Sequence, residues 1–361
     1  MVLRMLNMTD KTPRLRVLIV GAGRRVQNNF LPALACLSEQ FEVVAIHARS
    51  EERMVPLAKK WGIAAISDLE KFDLSQIDVV AVSVPTGQNA AVLSKLLPHA
   101  GRLRLVIDTP IFLSRRELSA NQNLLAQFKE VRPAEDFMSF PPYQFLRKIV
   151  ESGLIGTPRA LTLINTGYFY HGLALIRSFV NFAPVMSSTS FNSFAYQIRY
   201  RFLGGFCASI IGPYRRGQHG GVVLEGTKGI ITEIEDDKKF NMAGSTVYYL
   251  SKNIEAGVIT SYSLLLDSKV LSSFAVPYYT QMAQIDFEDK SELNLLRGCG
   301  LIHIFQSFFT PNIYDKYSYE QALYDSMISR VSKRGLLPFD PFALVGLNAM
   351  KILQPLLRFL K

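Results

Sequence analysis

The sequence predicts an α/β protein in two parts: a parallel sheet with helical crossovers, then a second domain built on a large, mostly antiparallel sheet. Three observations carry that expectation. The chain has 361 residues, of which 48% are hydrophobic and 19% charged, which suits about two domains of ~150 residues with real cores and excludes a disordered or collagen-like chain. Up to about residue 150, strand and helix patterns alternate. Beyond Gly153 the strand patterns mass together and crossover helices become scarce.

The elements follow in order. Residues 15–20 (LRVLIV) form a short β-branched run ending at Gly21. A helical stretch continues through Phe30, Leu31, Leu34 and Leu37. Residues 41–46 (FEVVAI) read as a second strand, and Ser50 is placed to N-cap a helix through Trp61. Residues 79–84 and 103–107 read as two buried strands with a helix over 88–99 between them. Ser114 and Glu117 make a capping box that opens the next helix. Strands joined by such helices make a parallel sheet with right-handed crossovers. In the second half, residues 160–166, 193–206, 222–224, 229–234, 246–250 and 258–264 read as strands, and 293–309 and 319–331 as helices. The resulting partition is 1–14 as a flexible N-terminus, 15–140 as the first domain, 141–334 as the second, and 335–361 as an apolar, basic tail.

Forty Lys and Arg against thirty Asp and Glu give a net charge of +10, which suits an anionic partner without choosing one. No helix gathers basic residues with aromatics, so nucleic acid is not expected. Cys36, Cys207 and Cys299 are far apart, and with the scattered histidines they offer no metal-ligand spacing. The expectation is a reduced, cytoplasmic setting and no metal; the first fourteen residues lack the apolar run of a signal peptide. The tail from Phe342 is interrupted by Asn348, Lys351, Gln354 and Pro355. It suits packing on its own domain or on a second subunit, with peripheral membrane contact as an amphipathic helix the alternative.

Chemistry enters at Gly21-Ala22-Gly23-Arg24-Arg25, directly after the first strand. Gly21 permits a tight turn, and Gly23 lets backbone amides approach a pyrophosphate at the positive end of the following helix. The third glycine of this fingerprint is replaced by Val26. Strand, glycines, helix and second strand in that order make a Rossmann dinucleotide-binding domain the reading. After the second strand stands His47-Ala48-Arg49-Ser50, with no carboxylate before Glu51. An NAD site usually carries an acid there for the ribose hydroxyls. Arg49 can instead pair with a 2′-phosphate and Ser50 can donate to it, which favours NADP(H) over NAD(H).

With Phe30-Leu31-Pro32-Ala33-Leu34 after the glycines, the sequence resembles the Gfo/Idh/MocA oxidoreductases. The resemblance extends through Val84-Pro85, Asp108-Thr109-Pro110 at the place of a Glu-Lys-Pro motif, Gly153-Leu154-Ile155-Gly156, and Glu225-Gly226-Thr227-Lys228-Gly229. It covers roughly residues 15–333. It implies a second α/β domain with an open sheet, used for contacts in a homo-oligomer, and hydride transfer between nicotinamide and a small-molecule substrate. It also implies that Val84, Pro85, Asp108 and Pro110 flank the cofactor and that Arg24 and Arg25 belong to its phosphate loop.

The chain departs from the family at the chemistry. Thr109 stands for the lysine that positions the reacting oxygen. His171 matches the family histidine, but Gly167 and Ala174 replace the acids expected around it, and Asn89 stands where many members carry a histidine. The catalytic candidates are therefore His171, helped by Tyr168 or Tyr170, with Thr109 in the lysine position. A glycine-rich basic loop, 214–221, is a candidate to hold an acidic substrate or a solvated hairpin. Three functional readings follow: a reductase of a small carbonyl, imine or conjugated compound, a catalytically silent dinucleotide-binding sensor or scaffold, or a site that performs different chemistry.

Overall fold

The computed structural model describes residues 13–164, 168–192, 196–212, 220–233 and 245–333. Outside them lie the C-terminal tail, most of the N-terminal segment, Gly167, and all but the last two residues of the basic loop.

Strands β1 (Leu15–Val20), β2 (Phe41–His47), β3 (Ala64–Ile66), β4 (Val79–Val82), β5 (Arg104–Asp108) and β6 (Glu130–Ala134) form one parallel sheet in the order β3-β2-β1-β4-β5-β6. Val17 to Val20 of β1 and all of β4 are buried, because helices cover both faces. Each fully buried aliphatic side chain there contributes about 1.5–3 kcal/mol relative to exposure. The crossovers use α1 (Leu31–Cys36), reached through a π-helical turn over Val26–Phe30, then α2 (Glu51–Trp61), α3 (Asn89–Leu96) and α4 (Arg115–Leu125). The Ser114–Glu117 capping box opens α4 as expected. The strand order reverses beside β1, which opens a crevice beyond the carboxyl ends of β1 and β4.

The chain then runs through α5 (Pro141–Glu151) into a nine-stranded sheet. Its strands are β7 (Pro158–Ile164), β8 (Val185–Asn192), β9 (Tyr196–Phe202), β10 (Cys207–Ile211), β11 (Gly221–Gly226), β12 (Gly229–Thr232), β13 (Thr246–Glu255), β14 (Val258–Leu266) and β15 (Lys269–Ala275). Their order is β15-β14-β13-β12-β11-β7-β10-β9-β8, antiparallel except for β10 on β7 and β12 on β13. Helix α6 (Phe169–Ser178) links β7 to β8, and α7 (Pro277–Gln284), α8 (Glu292–Gln306) and α9 (Tyr319–Lys333) follow the sheet. Helix α8 packs back on the first sheet's layer. The Asn29 amide donates to the Asn294 carbonyl at 2.9 Å, and the Phe305 ring meets Phe30 and Phe41 edge-on.

Several boundaries differ from the sequence expectation. Strand β4 stops at Val82, because Pro85 cannot donate to a ladder and restricts Val84 before it. The helix expected over 88–99 is α3 with a 3₁₀ turn at Leu97–His99 around Pro98. The stretch 193–206 is not one strand: Gly204 and Gly205, at φ +85° and +84°, turn the chain between β9 and β10. Strand β6 escaped notice because Pro133 argues against a strand, yet β6 is an edge, where proline is tolerated. The short β3, the serine-rich β8 and the exposed β15 give little hydrophobic signal. No helix among the described residues is long and apolar enough to cross a membrane.

Candidate functional site

A groove of about 540 Å³ runs along the carboxyl ends of β1, β2 and β4. At its centre Gly21 has φ +128°, and a Cβ there would lie 2.1 Å from the Ser83 carbonyl oxygen, so only glycine fits. Gly23 has nothing within 4 Å of where its Cβ would be and lines the groove, as a residue facing a phosphate must. The amides of Ala22 and Gly23 take no backbone acceptor among the described residues, and a helix opens at Arg24. These features fit the pyrophosphate of a dinucleotide. Val26, in the third-glycine position, is fully buried beneath Gly21 and begins the π-helical turn.

The β2 end of the groove is basic. Arg24, Arg49 and Arg53 line it and are exposed, and their guanidinium groups make no hydrogen bond or ion pair among the described residues. Ser50 sits at the N-cap of α2, but its side chain makes no cap bond. Lys95 also lines the groove and pairs with Glu70 at 3.7 Å. Sequence reading missed Arg53 and Lys95; the signal for Arg53 was its place one helical turn beyond Arg49. The lining carboxylate is Asp108, on the opposite side of β1 from this basic end.

Val84 and Pro85 line the groove after β4, and Pro110 follows Asp108 beyond β5. Asn89 is not oriented for catalysis: it is buried and donates to the Ile111 carbonyl at 2.8 Å. Arg25 turns inward. Its Nη1 is 2.6 Å from Asp136 Oδ2 and its Nε 3.4 Å from Asp108 Oδ1, while Ser83 donates to Asp108 at 3.0 Å. Burial opposes the charge on Arg25, but Asp136 and Asp108 more than offset it and raise its pKa. Burial likewise raises the pKa of Asp136, with Arg25 and Arg297 opposing.

Beyond β5 lies a second constellation. His171, on α6, has Nδ1 at 2.6 and 2.8 Å from the two carboxylate oxygens of Glu135. Because a carboxylate accepts, Nδ1 carries the proton, and Nε2 has no protein partner among the described residues. Glu135 is fully buried just after β6. Thr109 Oγ1 donates to its carboxylate at 3.0 Å, Tyr314 donates to its carbonyl at 2.9 Å, and Tyr170 donates to the Thr109 carbonyl at 3.3 Å. The Tyr170 ring lies 4.2 Å from that of His171, and Tyr168, largely exposed, stacks on Tyr170. Burial, then Glu135 and Asp108, push the Tyr170 phenol far above its ordinary range, so it stays protonated.

Sequence reading brought His171, Tyr168, Tyr170 and Thr109 forward but missed Glu135. A lone acid at the end of an unrecognised edge strand, 36 residues from its histidine, leaves no local pattern. Ala174, where an acid was expected, is buried in the core. Arg177 is spent on structure, bound to Asp325 at 2.7 Å and to the Phe182 and Ala183 carbonyls. Arg297, also missed, is half-buried on α8 and acts electrostatically on Asp136 and Tyr170 without a hydrogen bond of its own among the described residues. Helix α8 comes this close because a Cβ at Gly300 would lie 2.4 Å from the Asp136 carbonyl oxygen. No group of three or more potential metal ligands occurs among the described residues.

Residues 15–132 match the model of the Gfo/Idh/MocA family, described as "Oxidoreductase family, NAD-binding Rossmann fold". Over about nine-tenths of its length the chain has the fold of solved oxidoreductases. An oxidoreductase of Thermotoga maritima is 18% identical with a TM-score of 0.63, over 90% of this chain and 97% of that one. An oxidoreductase of Agrobacterium radiobacter, solved with NAD+, L-tartaric acid and magnesium, is 14% identical with a TM-score of 0.66, over 89% and 97%. A super-repressor mutant of Gal80p from Saccharomyces cerevisiae is 13% identical with a TM-score of 0.62, over 89% and 95%. No curated protein matches the sequence.

Proposed function

We propose that the protein is an NADP(H)-dependent oxidoreductase acting on a small carbonyl, imine or conjugated substrate, a reading supported by the match of residues 15–132 to an NAD-binding oxidoreductase family. The observation that carries this reading is the His171–Glu135 pair beside Thr109, with the imidazole Nε2 left available. The amides after Val20 hold the linked phosphates, with Arg24 beside them. Arg49, Ser50 and Arg53 take the 2′-phosphate. Val84, Pro85, Asp108 and Pro110 flank the nicotinamide, which when bound supplies or accepts the hydride. Arg25 holds Asp108 and Asp136 in place rather than touching phosphate.

During reduction the doubly protonated His171 ring gives its Nε2 proton to the substrate oxygen or nitrogen and keeps the Nδ1 proton, which Glu135 accepts as a hydrogen bond. During oxidation Nε2 accepts that proton. Tyr168 and Tyr170 wall the substrate, and Thr109 keeps Glu135 aligned rather than replacing a lysine. Exposed apolar residues of the large sheet, among them Ile254, Val270 and Leu271, suit contact with a second copy.

Fluorescence titration with NADPH and NADH, followed by NADPH oxidation on a carbonyl and imine panel, tests the proposal. Tighter binding of NADPH and turnover of a panel member are expected. The silent sensor is the second reading, favoured by the Thr109 hydroxyl being spent on Glu135. Tight NADPH binding with no turnover across the panel would select it.

A further inference from the structure

A second cavity, of about 620 Å³, shares no lining residue with the dinucleotide groove. It lies between α5, the end of α6, and the loop after α8, and its size is that of an ordinary small-molecule site. Arg147, Lys148 and Lys316 line it with His303, against a single carboxylate, Glu151.

Arg147 is the telling residue. Three other arginines drawn into this fold have a carboxylate within ion-pair distance: Arg177 has Asp325, Arg25 has Asp136, and Arg132 has Glu130. Among the described residues, the Arg147 guanidinium has the Ser178 hydroxyl at 3.3 Å and lies over the Phe179 ring, 6.0 Å from its centroid. Burial brings its pKa down to about 10, with Tyr314 and Glu151 opposing. Burial, Arg147 and Lys148 together press His303 down to about 4. Lys148 Nζ lies 4.6 Å from the Phe274 ring centroid, and Lys316 is exposed with no ion pair among the described residues.

Three neutral side chains of the wall are already engaged, while that of Asn181 is exposed. Ser178 donates to the Leu175 carbonyl, Gln144 to that of Ser139, and Asn312 to that of His303. Positive charge, beside the Asn181 amide, is therefore what the cavity offers a ligand. A guanidinium removed from water without a counterion is costly, and an anion would relieve that cost.

We propose that this cavity is a second ligand site, for a small molecule carrying two or more phosphate or carboxylate charges. Arg147 binds its inner anionic group and Lys316 meets it at the mouth.

The test is calorimetric titration of the NADPH-saturated protein, its groove filled, with pyrophosphate and separately with citrate. The Gly23→Val protein, without NADPH, is titrated alongside so that an anion in the groove is recognised. Saturable binding of either probe is expected, weakened at least ~10-fold by Lys316→Glu and by Arg147→Met. Lys316 is exposed, so its variant keeps the fold if Arg147→Met does not. Binding should also raise the His303 titration, followed by NMR. Response to pyrophosphate alone, citrate alone, or both defines the anionic group. No saturable binding of either, or binding unchanged in Lys316→Glu with His303 unmoved, overturns the proposal.

Discussion

His171 Nδ1 stands 2.6 Å from Glu135 Oε1, joining helix α6 to the end of the first sheet. A buried carboxylate that holds one imidazole nitrogen leaves the other aimed at chemistry. Replacing Glu135 by Gln should lower kcat by ~10²–10⁴, as should His171→Ala, with NADPH affinity unchanged. Steady-state kinetics beside fluorescence titration reads both, and a Glu135→Gln enzyme with wild-type kcat would remove the pair from the mechanism.

The two loop glycines should separate stability from binding. A side chain at Gly21 meets the Ser83 carbonyl at 2.1 Å in a left-handed backbone, so Gly21→Ala should lose at least ~2 kcal/mol of stability. Gly23→Val meets open space and should melt like the wild type while losing NADPH binding. Thermal melts and dinucleotide titrations distinguish the two; an unchanged Kd in Gly23→Val contradicts the phosphate loop.

Arg49 and Arg53 should decide between the two dinucleotides. Arg49→Glu with Arg53→Glu should weaken NADPH by ~30-fold or more and NADH by only a few-fold, because only NADPH has the extra phosphate to repel. Equal losses for both would place these arginines elsewhere on the cofactor, or off it.

Arg25 and Asp136 form a buried pair at 2.6 Å, so removing one partner leaves an uncompensated charge. Arg25→Met should cost about 3–5 kcal/mol in urea unfolding, and Arg25→Met with Asp136→Leu should recover much of it. A cost near zero for the single change would mean that the pair is open to water.

His303 should make the fold acid-sensitive. Its pKa falls from 6.5 to about 4 through burial and the neighbouring Arg147 and Lys148. The unfolded chain therefore takes up a proton below pH 6.5 that the folded protein refuses until about 4. Stability from this group is complete above pH 6.5 and declines as pH falls through the interval, by up to about 3 kcal/mol. Asp325, raised to about 6 by burial against the pull of Arg177, acts in the opposite sense over its own interval. The effect of His303 is thus read as the difference between wild type and His303→Gln in denaturant melts from pH 7 to 4.5. A pH-independent difference would assign no titration to His303.

Much of the first domain was legible because its signals are local. A β-branched run ending in glycine, the capping box at Ser114, and the absence of an acid between His47 and Ser50 all lie within a few residues of what they determine. The groove then follows from strand order. Strand β6 was hidden by Pro133, whose tolerance depends on β6 being an edge, a fact of the assembled sheet. The turn at Gly204 and Gly205 was hidden inside an otherwise continuous strand pattern.

The amino-acid order alone settled the α/β class, the glycine loop and the basic replacement after the second strand, since each rests on backbone geometry or charge over a few residues. Tertiary structure decided what His171 can do, what Arg25 is for, and which cations stay unpaired. Those properties depend on carboxylates that approach from elsewhere in the chain: Glu135 reaches His171, Asp136 reaches Arg25, and among the described residues none comes within ion-pair distance of Arg147. Coulomb interactions depend on separation in space, and only the folded chain sets that separation.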